Sequence, residues 1–351
     1  MIKNIVIDFS YLGTFCGFGN IAKHYSQMLA ANHVPNIHFI FIVPERFVGL
    51  FGSHIDYFRK EYLKLDAHAF QLPIHLWHAT TQNYSYRRFS KETIQLLTVH
   101  DMNFLYEKRY IHKWKHLWKL KKHIKQSDAI TTISNYVKED LVRHTAFNEK
   151  NIEVIYNGIQ NLLDFSEQCP AFIHDSHEKF FFTIGQVLEK KGFASLIPMM
   201  KYFPEYKLYI CGDTQFKYAE KLRKIINLHG NGRCFLTGKI TEKEKKWMYK
   251  NCQAFMLPSH SEGFGLPVIE AMQMQCPVFL LAKTCLPEIG NRFAYYWELD
   301  DSPEYMANVV HQGLATIDSQ RLAEEQAYAL SFSYERYTNA YITLYQKLLN
   351  I

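Results

Sequence analysis

The sequence predicts an α/β protein of two doubly wound domains that face each other across a cleft. Three observations predict it. At 351 residues the chain is longer than one hydrophobic core usually serves. Short apolar, β-branched runs alternate throughout with amphipathic helical stretches, the pattern of parallel sheets joined by crossover helices. Residues 158–179, "GIQNLLDFSEQCPAFIHDSHEK", are polar and aperiodic, so the expected division is 1–165, 166–331 and a terminal helix over 332–351. With 48% hydrophobic and 15% aromatic residues the chain can fill two cores, which excludes a disordered class.

In the first half the expected strands are "NIVIDF", "IHFIFIV", "IHLWHA", "IQLLTVH", "AITTIS" and "IEVIYNG". Several end at His, Ser or Asn and run into polar loops, and open parallel sheets bind ligands beyond those carboxyl ends. After the first strand, Gly17, Gly19 and Ala22 satisfy G-x-G-x-x-A, a dinucleotide fingerprint. That fingerprint needs its first Gly immediately after the strand, whereas "SYLGTFC" intervenes, so a glycine-rich loop is expected instead. His100 and Asp101 end the fourth of these strands and are candidates for chemistry. Beyond them, "EKRYIHKWKHLWKLKKHIK" carries eight Lys/Arg between Lys108 and Lys125. In it Tyr110, Ile111, Trp114, Leu117, Trp118 and Ile124 approximate one helical stripe. Either the helix packs that stripe on its own domain, or Lys113, Lys115, Lys119 and Lys122 meet an anionic surface.

Charge is unevenly divided. Residues 1–160 hold 20 Lys and Arg against 13 Asp and Glu, and the remainder 20 against 21. The first half is therefore the one suited to an anionic partner; no nucleic-acid-binding motif accompanies it. Seven cysteines, scattered and without a C-x-x-C pair, suit reduced buried thiols better than disulfides or a zinc site. No run reaches the roughly 18 apolar residues of a membrane span, and the first residues read as a strand, so a cytoplasmic protein is expected.

In the second half the expected strands are "KFFFTIG", "YKLYICG", "CFLTG", "QAFMLPS" and "PVFLLA". The fourth leads into "SHSEGFGLPVIEA". Gly263 and Gly265 let backbone approach a ligand, and the N–H groups opening the next helix suit a diphosphate. Glu262 before the turn and Glu270 one helical turn inside can each accept from ligand hydroxyls. Two acids with amides between them describe a nucleotide-sugar site.

This stretch resembles the E-x7-E motif of retaining glycosyltransferases of family 4, and other segments match that family in order. They are "TVHDMNFLYEK", "ISNYVKEDL", "VIYNGI", "FFTIGQVLEKKGFASLI" and "LTGKITEKEKKWMYKNCQAFMLPS", within about residues 90–300. The resemblance implies the GT-B fold: two Rossmann-like domains, with the acceptor on the N-terminal side and the nucleotide sugar on the C-terminal side. It implies that Glu262 contacts the donor sugar, helped by amides of Gly263, Phe264, Gly265 and Leu266, and that Glu270 holds the ribose. His100, beside Asp101, would lie close to the reaction centre, with the Gly17–Gly19 loop near the phosphates. In "GQVLEKKG" the family usually has Arg and Lys on the diphosphate. Lys191 fills the second role but Gln186 replaces the Arg, leaving Lys190 and Lys239 as candidates to compensate.

The expected activity is retaining transfer of a sugar from a nucleotide-diphosphate donor to a hydroxyl of a glycan or lipid-linked glycan, in bacterial surface glycan assembly. No metal or other cofactor is expected, nor any nucleic acid. The helix over 108–125 would place the protein peripherally on the inner face of the cytoplasmic membrane. Two alternatives stand beside this: an NAD-dependent dehydrogenase or epimerase using the glycine-rich loop, and a non-catalytic membrane-associated scaffold.

Overall fold

The computed structural model describes residues 2–14, 17–61, 72–84, 90–107, 110–145, 147 and 152–351. It divides into two compact units, Met1–Gln160 with Phe332–Ile351, and Asn161–Ser331.

Among the described residues the first unit is built on seven strands: β1 (Lys3–Asp8), β2 (Ile37–Val43), β3 (Asp56–Arg59), β4 (Leu76–Ala79), β5 (Ile94–Val99), β6 (Ala129–Thr132) and β7 (Ile152–Val154). They lie in the order β3-β2-β1-β4-β5-β6-β7, all parallel. Its helices are α1 (Gly17–Ala31), α2 (Phe104–Glu107), α3 (Tyr110–Gln126) and α4 (Asn135–Thr145). Strands such as Ile5-Val6-Ile7 and Phe39 to Val43 are buried along their length, as expected for a parallel sheet covered on both faces.

The second unit has six strands: β8 (Phe180–Ile184), β9 (Lys207–Cys211), β10 (Cys234–Gly238), β11 (Ala254–Leu257), β12 (Val278–Leu281) and β13 (Tyr295–Trp297). Their order is β10-β9-β8-β11-β12-β13, again parallel. The helices are α5 (Leu196–Met199), α6 (Tyr218–His229), α7 (Glu242–Asn251), α8 (Leu266–Gln273), α9 (Leu286–Gly290), α10 (Pro303–Thr316) and α11 (Ser319–Leu330). The triplet Phe180-Phe181-Phe182 is fully buried at the sheet's centre.

The last helix, α12 (Tyr334–Leu349), belongs to the first unit. Tyr337, Tyr341 and Tyr345, four residues apart, share one face and are all buried against α1 and the sheet. Their hydroxyls enter a closed network. His78 contacts the Tyr345 hydroxyl through Nδ1 at 2.7 Å and Thr98 Oγ1 through Nε2 at 2.8 Å. Tyr345 reaches Tyr25 at 2.6 Å, and Tyr341 lies 3.0 Å from both Thr98 and Thr131. Burial pushes the His78 pKa down to about 3, so the ring is neutral.

Two strands, β3 and β13, are absent from the sequence reading. Both are short edge strands, "DYFR" and "YYW", and an edge position is covered less and asks for a weaker apolar run.

Candidate active site

In the second unit the strand order reverses around β8, which lies between β9 and β11. Such a switch point opens a crevice at the carboxyl ends of the strands. The residues after β8 and after β11 meet there. Gly192 sits at φ 66°, and a Cβ on it would come 2.1 Å from the Pro258 carbonyl oxygen. Its backbone therefore packs directly on the end of β11. The His260 N–H also donates to the Lys190 carbonyl at 2.7 Å. These two contacts bring together groups 71 positions apart: Lys191 Nζ lies 2.5 Å from Glu262 Oε1, both side chains largely buried. A pair so placed is screened far less than a surface one. The Glu262 N–H donates to Thr284 Oγ1 at 3.3 Å, beyond β12.

Gly265, at φ 89°, turns the chain into α8, with Pro267 in the first turn where no N–H is lost. Phe264 is buried, so the segment Gly263–Leu266 delivers the chain to the helix start against the core. Glu270 is the fifth residue of α8. Its Oε1 accepts from Lys245 Nζ at 2.8 Å and its Oε2 from the Tyr249 hydroxyl at 3.1 Å. Lys245 and Tyr249 escaped the sequence reading. Their four-residue spacing on α7 was a visible signal, but nothing local says that this face meets α8.

Gln186 is exposed. Of the cations considered as its compensation, Lys239 is paired with Asp213 at 2.9 Å, while the Lys190 carbonyl is the group that holds the His260 loop.

In the first unit His100 directly follows β5 and is buried. Its N–H donates to Gln82 Oε1 at 3.0 Å, and its Nε2 lies 2.7 Å from the Thr80 carbonyl. A carbonyl only accepts, so Nε2 carries the ring proton and Nδ1 is the acceptor. Burial pushes the pKa down to about 4, against the smaller upward effect of the Thr80 bond, so the imidazole is neutral at pH 7. Phe18 meets it edge-on at 4.7 Å. The Asp101 carboxylate accepts from the Asn103 N–H at 3.0 Å, and its carbonyl accepts from Gln82 Nε2 at 2.9 Å. Asp101 thus shapes the turn into α2, and Gln82 braces both residues.

Two local expectations change. Gly17 and Gly19 lie in the first turn of α1, not in a loop; the loop is Ser10 to Thr14, and the remaining Phe15 and Cys16 lie outside the described residues. On α3 the apolar stripe is split between the packed and the exposed sides. Leu120, His123 and Ile124 are buried, whereas Trp114 and Trp118 are 58% and 66% exposed. Lys115, Lys121, Lys122 and Lys125 share the exposed side, while Lys113 and Lys119 are half-buried. Lys108 and Arg109, and the side chains of Tyr110 and Ile111, lie outside the described residues.

Among the described residues no group of three or more His, Cys, Asp and Glu side chains is arranged to hold a metal ion, and no helix is long and apolar enough to cross a membrane.

Two parallel doubly wound units, with paired acids at the switch point of the second, define the GT-B class of fold. The chain belongs to glycosyltransferase family 4: residues 18–160 match the profile described as "Glycosyltransferase Family 4", and residues 164–295 the one described as "Glycosyl transferases group 1". The O-antigen chain mannosyltransferase RfbU of Salmonella typhimurium is 29% identical over 219 residues, 61% of this chain and 60% of that protein. The O-antigen chain mannosyltransferase B of Escherichia coli is 22% identical over 68% of this chain and 65% of its own length. The matches therefore span less than two thirds of these relatives. Among solved structures, a glycosyltransferase from Rickettsia africae superposes with a TM-score of 0.74 at 14% identity, covering 99% of both chains. HepE of Anabaena, in complex with UDP and glucose, gives 0.70 at 15% identity, covering 99% of this chain and 100% of that one. At these identities the likeness is one of fold. The family assignment leaves nothing in favour of the dinucleotide-dependent alternative.

Proposed function

We propose that this protein transfers a hexose, with retention at the anomeric carbon, from a nucleotide-diphosphate donor to a hydroxyl of a glycan or lipid-linked glycan. The observation that carries the reading is the pairing of Lys191 with Glu262 at the β8–β11 switch point, with Glu270 about one turn inside α8. The named relatives act in O-antigen assembly as mannosyltransferases, which favours mannose as the sugar and a bacterial surface glycan as the product.

In this reading Lys191 and the amides opening α8 take the charge that grows on the departing diphosphate, where fixed donors and a helix terminus act without reorganising. The diphosphate oxygen accepts the proton of the attacking hydroxyl. Glu262 accepts from hydroxyls of the sugar and Glu270 from those of the ribose. His100, neutral with Nδ1 as acceptor, holds a hydroxyl of the sugar and does not serve as a base, since a group with a pKa near 4 has little proton affinity at pH 7. Lys191 and the helix amides serve in place of a divalent ion. The exposed basic side of α3 meets the anionic inner face of the membrane where a lipid-linked acceptor is held.

The test is steady-state kinetics with GDP- and UDP-linked hexoses in the presence of EDTA, where turnover should persist. Glu262→Ala should lower kcat by at least about a hundredfold, because its contact is with the reacting sugar. Glu270→Ala should mainly raise the donor KM. Near-normal kinetics in both variants would refute the assignment.

A further inference from the structure

Helix α7 begins at Thr241, whose Oγ1 accepts from the Glu244 N–H at 3.2 Å while the Glu244 carboxylate takes the Thr241 N–H at 2.7 Å. This reciprocal cap fixes the first turn. Lys245 and Tyr249 then fall on one face, four residues apart. Tyr249 is fully buried, its ring against Phe182 at 5.0 Å and Phe255 at 5.3 Å, so its hydroxyl has little freedom.

Lys245 is no surface lysine. Its side chain is 11% exposed and lies between two carboxylates, Glu242 at 2.8 Å and Glu270 at 2.8 Å. Burial alone would depress the ammonium's pKa, but the two acids outweigh it and hold it above its usual value. The Glu270 side chain is itself only 16% exposed, so without a cation it would be an unpaired, poorly solvated charge, free to turn outward.

The lone pairs of Glu270 can be counted. An ionised carboxylate offers about four acceptor sites and no donor. Lys245 occupies one on Oε1 and Tyr249 one on Oε2, which leaves one on each oxygen with the carboxylate plane held from behind. A vicinal diol brings two O–H donors and matches that remainder.

We infer that Lys245, aided by Tyr249, is a positioning residue that holds Glu270 oriented as a two-point acceptor for the cis-diol of the donor's ribose. The inference rests on the nucleotide-sugar reading above and adds to it a residue on a separate helix and a chemical selectivity for ribose over 2′-deoxyribose. Removing one hydroxyl leaves one acceptor of a charged group unfilled, a loss worth about ten- to a hundredfold in affinity.

The experiment measures Kd for UDP, GDP and ADP, each against its 2′-deoxy counterpart, by calorimetry on the full chain, with melting temperature as the check on folding. Wild type should prefer the ribonucleotide by about tenfold or more for the base it accepts. Lys245→Met should reduce that preference to less than about threefold and raise the donor KM more than it lowers kcat. Lys245→Arg should restore part of it. Tyr249→Phe, which keeps the ring and loses only the hydroxyl, should lower the preference by a smaller factor. A folded Lys245→Met with the wild-type preference overturns the inference. If that variant does not fold, unchanged preference in both Lys245→Arg and Tyr249→Phe overturns it. So does a wild type that binds a ribonucleotide without preferring it. A wild type that binds none of the three refutes the nucleotide-sugar reading, and the inference with it.

Discussion

Gly192 shows how one residue can govern the geometry of the β8–β11 switch point in the second unit. It lets the chain leave Lys191 with positive φ while pressing against the Pro258 carbonyl. The neighbour is backbone and cannot swing away. Gly192→Ala should therefore cost about 2 kcal/mol or more, from the left-handed conformation and the clash together, and should raise the donor KM by separating Lys191 from Glu262. Denaturant melts and donor titrations check both; a variant within about 0.5 kcal/mol of wild type would count against this account. The spacing of Glu262 and Glu270 around a glycine-rich turn was plain in the sequence because turn, helix start and both acids are contiguous. The partners of those acids were less so. Lys191 is 71 positions from Glu262 and Lys245 is 25 from Glu270, and only the fold closes those distances.

At the scale of elements, α3 and α12 are both aromatic-rich helices read from periodicity, and they end in opposite environments. On α12 the tyrosines turn inward because the buried strands offer His78, Thr98 and Thr131 as hydroxyl partners. On α3 a short apolar set at Leu120, His123 and Ile124 suffices to dock the helix, and the two tryptophans are left outside with lysines, Lys122 lying over the Trp118 ring at 5.7 Å. Periodicity marks a stripe; it does not say which side of the stripe the core will take. The proposed membrane contact follows from that exposed side. Binding to vesicles containing anionic lipid should be measurable at low salt, weaken toward 0.5 M salt, and fall by about tenfold in Trp114→Ala/Trp118→Ala. Sedimentation with anionic and neutral vesicles is the measurement. Equal binding to both, or none at low salt, would return α3 to an ordinary packed helix.

For the molecule as a whole, buried histidines of the first unit and a buried glutamate of the second respond to pH in opposite senses. In the first, burial depresses His78 to about 3 and His100 and His123 each to about 4. The unfolded chain takes up protons below about 6.5 that the folded unit refuses. Their contribution to its stability is thus full above that pH and declines as pH falls toward 4 and 3. In the second, Glu325 on α11 is buried and its pKa raised to about 8, with Arg321 opposing. The folded unit keeps a proton that the unfolded chain releases above about 4.5. That contribution is full below 4.5 and fades as pH rises through 8. Calorimetry of the full chain from pH 4 to 9 should show an acid-sensitive and an alkali-sensitive transition, and Glu325→Gln should flatten only the latter.

The strand alternation, the two-unit plan and the motif around Glu262 were already present in the order of residues, since each rests on local periodicity or on groups adjacent in the chain. The tautomer and neutrality of His100, the lysines paired with each acid, the outward tryptophans and the proton on Glu325 were decided by tertiary structure. The reason is physical: hydrogen-bond partners, burial and local dielectric are properties of what distant segments bring together.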